Sequence, residues 1–85
     1  MRSVTVYTRA FCPYCTRALA LLKRKGACVT EIDATFDPGK KHEMIERSGR
    51  RTFPQIFVGE THVGGCDDLH ALDTEGRLDP MLVGA

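Results

Sequence analysis

The 85 residues leave room for one small domain spanning 1–85 and exclude a second, since a chain only slightly above roughly 70–80 residues has little core to spare. Twelve lysines and arginines against 11 acids give a formal charge of +1, and 27% charged and 42% hydrophobic residues describe an ordinary soluble domain with no basic excess to recruit nucleic acid. The longest aliphatic run, Ala18 to Leu22, is far short of the roughly 20 apolar residues of a membrane span, and the stretch from Met1 to Thr5 lacks the apolar segment of a secretory signal, so a cytoplasmic protein without a membrane partner is expected.

Along the chain, Val4, Val6 and Thr8 alternate with Thr5 and Tyr7 and predict a short strand that breaks at Phe11-Cys12-Pro13. Tyr14, Ala18, Leu21, Leu22 and Lys25 then recur at helical spacing. Pro13 suits the first helical position and Gly26 the residue past the end. Cys28 to Asp33 reads as a second strand, in which Cys28 packs as a small apolar residue. Asp37, with Pro38 behind it, caps a helix running to Ser48, with Met44, Ile45 and His42 toward its inner side and Gly49 as its stop.

Gln55 to Val58 predicts a third strand, which Gly59-Glu60 turns back into Thr61-His62-Val63 as an antiparallel hairpin. Gly64-Gly65 breaks that strand. Asp67-Asp68 opens a helix through Leu69, Leu72 and Asp73 that stops near Gly76, with Asp67 as its cap, and Leu78 to Leu82 adds one helical turn. The order is β-α-β-α-β-β-α, an α/β arrangement whose first two strands are parallel through a right-handed crossover.

Four cysteines stand at 12, 15, 28 and 66, and the close pair Cys12-Pro13-Tyr14-Cys15 lies between a strand and a helix. Cys12 falls at the cap, where free N–H groups and the positive end of the helix dipole favour an anion, and the thiolate is the attacking species. Cys15, one turn on, is placed to close a small disulfide with it. Half of a zinc site is the competing reading. Zinc needs four ligands, and neither a second C-x-x-C nor a histidine pair at ligand spacing is present, so no metal is expected; His42, His62 and His70 read as surface residues.

Cys-Pro-Tyr-Cys after a strand, followed by Thr52-Phe53-Pro54 and then Gly64-Gly65-Cys66-Asp67-Asp68, resembles the dithiol glutaredoxins of the thioredoxin-fold superfamily, and most of all their bacterial type 3. The resemblance covers essentially the whole chain. It implies a four-stranded mixed sheet flanked by helices, a cis bond before Pro54, and a glutathione groove beside the cysteines. It also implies Cys12 as nucleophile and Cys15 as resolving thiol, the two forming the redox-active disulfide. Arg9 would meet the glycyl carboxylate of glutathione, and Tyr14, Thr52, Phe53 and Pro54 would be among the residues that bind it. The backbone at Phe53 would pair with the tripeptide as an added strand, and the start of the helix at Gly65, Cys66, Asp67 and Asp68 would hold its γ-glutamyl end.

Phe53 stands where the family has valine more often, and Lys41 and Arg47 are both open candidates for a second cation. Cys66 is open between a reactive and a buried thiol. The resemblance implies a glutathione-dependent thiol–disulfide oxidoreductase with glutathione as co-substrate, no tightly bound cofactor, and a monomeric state. Its partners would be disulfide-bonded or glutathionylated proteins, ribonucleotide reductase among them. Two rivals stand beside it. A redoxin reduced by thioredoxin reductase usually carries a tryptophan motif, and this chain has no tryptophan. A glutathione-ligated iron–sulfur carrier usually has a single cysteine followed by Gly-Phe-Ser.

Overall fold

The computed structural model describes residues 2–84, which form the strands β1 (Ser3–Thr8), β2 (Cys28–Asp33), β3 (Gln55–Val58) and β4 (Thr61–Gly64) and the helices α1 (Pro13–Arg24), α2 (Pro38–Ser48), α3 (Cys66–Thr74) and α4 (Leu78–Val83). The four strands make one mixed sheet in the order β2-β1-β3-β4. β1 runs parallel to β2 and antiparallel to β3, and β3 pairs antiparallel with β4. This is the helix-flanked mixed sheet that the resemblance implied.

The central position of β1 explains its burial. Val4 and Val6 point into a cluster with Ala18, Leu21 and Leu22 of α1, Leu69 of α3, and Leu78 and Leu82 of α4. Tyr7 points to the opposite face, where it packs with Met44 of α2 and Phe57 of β3. Each fully buried leucine contributes roughly 1.5–3 kcal/mol of apolar transfer, so α1, with two, is pinned by its inner stripe rather than by propensity. Pro13 occupies the first position of α1, and Gly26, at φ +70°, provides the left-handed residue just beyond its C-cap, Lys25.

Several expectations are corrected by the tertiary arrangement. Cys28 is exposed rather than packed, because β2 is an edge strand and Cys28 is its first residue. His42 faces solvent and pairs with Glu46 at 2.8 Å; with Met44 at the buried centre of α2, a residue two positions away lies roughly 200° round the helix. His62 is half-buried against Phe57, and His70 is likewise not a free surface residue. β4 continues through Gly64, which pairs with Ile56 across a bulge. α3 begins at Cys66, one residue earlier than the acids suggest, so its N-cap is Gly65 and not Asp67. Among the described residues no helix is long and apolar enough to cross a membrane.

Candidate active site

The loop between β1 and α1 delivers Cys12 to the N-cap of α1 in extended backbone, φ −119° and ψ 97°. Phe11, immediately before it, sits at φ +56°, a left-handed conformation that a bulky residue adopts only where its surroundings over-determine it. Its ring is 99% exposed, so packing does not hold it there. The neighbouring Ala10 N–H is tied to Thr35 Oγ1 at 2.8 Å, which anchors the loop to the segment after β2.

The backbone N–H of Cys15 donates to Cys12 Sγ at 3.2 Å, and the Cys12 thiol reaches the main-chain carbonyl of Phe53 at 3.9 Å. A helix N-terminus with an N–H aimed at a sulfur stabilises negative charge on that sulfur. Both thiols are free and buried, Cys12 at 7% exposure and Cys15 at 3%. Burial, reinforced by its hydrogen bond to Cys12, pushes the Cys15 thiol up to about 12. The two sulfurs therefore differ in kind: one sits at the N-cap of a helix with a backbone donor on it, the other is held protonated by its burial.

Beside Cys12 a cavity of about 390 Å³ is lined by Tyr14, Arg50, Thr52, Phe53, Pro54, Gly65, Cys66, Asp67 and Asp68. Eight of the nine residues expected to bind glutathione thus meet in one depression. The Phe53–Pro54 bond that forms its wall is cis. Arg9 is the ninth. It lies on the other side of Phe53, in an adjoining cavity of about 360 Å³ that also takes in Phe11, Phe36 and Lys41. Arg47 is not part of either: its guanidinium stacks 4.2 Å from the Phe57 ring and donates to the Tyr7 hydroxyl at 2.8 Å. Of the two open cations, Lys41 is the one that shares a cavity with Arg9.

The far wall is the start of α3. Asp68 Oδ2 accepts the Gly65 N–H at 2.9 Å and pairs with Arg50 at 3.0 Å, and these two contacts, the backbone donor first, hold its carboxyl below the usual range. Gly64 stands at φ +119°, and a Cβ there would overlap Asp68 Oδ2, so the turn needs glycine twice over. Asp67 is exposed. Cys66 is 4% exposed, and burial pushes its thiol up, which resolves it as the buried alternative. Arg50 is the residue that sequence reasoning missed, although it opens the basic pair directly before Thr52. Among the described residues no group of three or more histidine, cysteine or acidic side chains is gathered as for a metal ion.

The glutaredoxin family model matches residues 4–63. Glutaredoxin 3 of Escherichia coli is 54% identical over 82 residues, which cover 96% of this chain and 99% of that protein. Among solved structures, the glutaredoxin of Brucella melitensis is 63% identical, with a TM-score of 0.84 over 96% of this chain and 89% of that one. A buckwheat glutaredoxin solved in complex with glutathione is 31% identical, with a TM-score of 0.85 over 94% of this chain and 76% of its own.

Proposed function

The chain belongs to the glutaredoxin family of thiol–disulfide oxidoreductases, and from that premise we propose that it is driven by glutathione and reduces protein disulfides and protein–glutathione mixed disulfides. The observation that carries this reading is the Cys15 N–H on the Cys12 sulfur at the edge of a groove walled by Thr52, Phe53, Pro54 and the start of α3. A likeness to a glutaredoxin that has been crystallised with glutathione supports it.

In this reading the Cys12 thiolate attacks a protein disulfide, forms a mixed disulfide with one sulfur, and expels the other as a thiolate that takes up a proton. Cys15 then gives up its proton and attacks Cys12, releasing the reduced partner and leaving the Cys12–Cys15 disulfide. Two glutathiones return that disulfide to the dithiol and leave as glutathione disulfide. With a glutathionylated protein, Cys12 takes over the glutathione and a second glutathione frees it, without need of Cys15.

The groove would seat glutathione by its two ends and its middle. The Phe53 backbone pairs with the cysteinyl unit as a short added strand. The first N–H groups of α3, which have no partners within the helix, take the γ-glutamyl carboxylate. Asp67, free of the cap, faces the ammonium, while Arg9 and Lys41 meet the glycyl carboxylate; an arginine does so bidentately. The working protein on this reading is a cytoplasmic monomer made of the single 1–85 domain, with disulfide-bonded or glutathionylated proteins such as ribonucleotide reductase as its partners.

The test is a coupled assay in which glutathione, glutathione reductase and NADPH supply electrons to a mixed-disulfide substrate, beside a parallel reaction with thioredoxin reductase. Turnover with glutathione alone supports the proposal. Turnover only with thioredoxin reductase transfers the protein to the rival redoxin class.

A further inference from the structure

The sheet face beneath α2 holds a polar chain that runs from β4 to the edge of the groove. Gln55 is fully buried, and a buried amide is tolerated only where its hydrogen bonds are made. Its Nε2 donates to the Thr52 main-chain carbonyl at 3.0 Å and to Thr52 Oγ1 at 3.1 Å, and its Oε1 lies 2.8 Å from Nε2 of His62. A main-chain carbonyl only accepts, so the contact with Thr52 settles which end of the amide is which. The oxygen must then face His62, and Nε2 of His62 must carry a hydrogen.

The polarity continues outward. Thr52 Oγ1 is used as an acceptor by Gln55, which leaves the Thr52 hydroxyl proton free to be donated, and Thr52 lines the groove. Neither Gln55 nor His62 lines it. The His62 ring is held in place by Phe57, at 4.9 Å between centroids, and Phe57 is held in turn by Arg47. Burial, then Arg50, keep His62 below the usual histidine range against the pull of Asp68, so the neutral ring with its proton on Nε2 is the form that neutral pH supplies.

We propose that Gln55 and His62 are positioning residues: together they lock the Thr52–Phe53 main chain beside Cys12 and orient the Thr52 hydroxyl as a donor toward an acceptor oxygen of a bound thiol peptide. The kinetic part rests on glutathione being that peptide. The hydrogen-bond chain itself is a property of the free protein and is testable without it.

Nitrogen NMR of the free protein at neutral pH reads the tautomer, and the expected result is a protonated Nε2 and a bare Nδ1 on His62. Glutathione kinetics are then compared in Gln55→Met, His62→Phe and His62→Gln. Gln55→Met keeps the volume and removes both donors, and should raise KM for glutathione about fivefold to tenfold with kcat within about twofold. His62→Phe keeps the stacking on Phe57 and loses the donor, and should raise KM about threefold. His62→Gln puts an amide N–H where the ring Nε2–H was, and should return KM to within about twofold of the parent. A proton on Nδ1, equal KM in His62→Phe and His62→Gln, or an unchanged KM in folded Gln55→Met overturns the proposal. Should Gln55→Met not fold, the histidine pair and the tautomer decide. Should the parent protein not turn over with glutathione at all, the functional reading fails while the tautomer still decides the chain.

Discussion

One backbone N–H, that of Cys15, points at the sulfur of Cys12 from 3.2 Å, while the Cys15 thiol itself is pushed up to about 12, first by burial and then by that same sulfur. Two cysteines one helical turn apart are thereby made unequal. In reduced protein at neutral pH, iodoacetamide should modify Cys12 well ahead of Cys15, since only a thiolate reacts and Cys15 keeps its proton. Cys28 is exposed and would add background, so the measurement belongs in a Cys28→Ser protein with site identification by mass spectrometry. Equal labelling of Cys12 and Cys15 at neutral pH would contradict the assignment.

The same inequality predicts a division of labour. Cys12→Ser should abolish reduction of protein disulfides and of glutathione mixed disulfides alike. Cys15→Ser should keep substantial activity on a glutathionylated protein, because a second glutathione performs the release, and lose most activity on a protein disulfide. Assays of both substrate types on both folded variants decide it. Equal loss in Cys15→Ser, or survival of either activity in Cys12→Ser, would return the pair to a structural role.

Local signals carried much of this fold. Pro13 and Pro38 at first helical positions and the left-handed Gly26 and Gly49 past the helix ends mark α1 and α2 in the chain itself, and β-branched runs mark β2 and β3. What the chain did not disclose depends on neighbours distant in sequence. Whether Cys28 is packed or bare follows from β2 being an edge, which is a fact of strand order. Gln55 reads as a strand residue of unknown face, and only its pairing beside Tyr7 in the interior makes its burial visible. Two adjacent acids could not show which one folds back onto Gly65, and Arg50 became a groove residue only through Asp68.

Beneath α2, the Tyr7 hydroxyl donates to Glu43 and accepts from Arg47, tying β1 to that helix. Tyr7→Phe should cost about 1 kcal/mol at neutral pH, a typical net hydrogen bond. Burial first, then the bond to Glu43, raise the phenol above its ordinary value. A raised folded value means that the folded state keeps the proton longer, so this contribution is whole below about pH 10 and fades as pH climbs toward the folded value. Urea denaturation should show the parent losing stability faster than Tyr7→Phe above about pH 10, and parallel pH profiles for the two proteins would disprove it.

The two neighbouring aspartates of α3 should separate binding from stability. Asp68 caps the helix through Gly65 N–H and pairs with Arg50, so Asp68→Ala should lower stability by about 1 kcal/mol, as loss of a side-chain cap does. Because its folded value is depressed, that contribution is complete above about pH 4 and is lost as pH falls through the lower folded value. Gly64→Ala should be at least as damaging, since its Cβ would displace the same carboxylate and its φ of +119° would be strained. Asp67 is exposed and takes no part in the cap, so Asp67→Ala should melt like the parent yet raise KM for glutathione by up to about tenfold, the partial loss of one charge-assisted hydrogen bond. Arg9→Ala should do the same at the other end of the tripeptide. Thermal melts and glutathione kinetics on the four variants check the separation, and unchanged kinetics in both Asp67→Ala and Arg9→Ala would remove these side chains from glutathione binding.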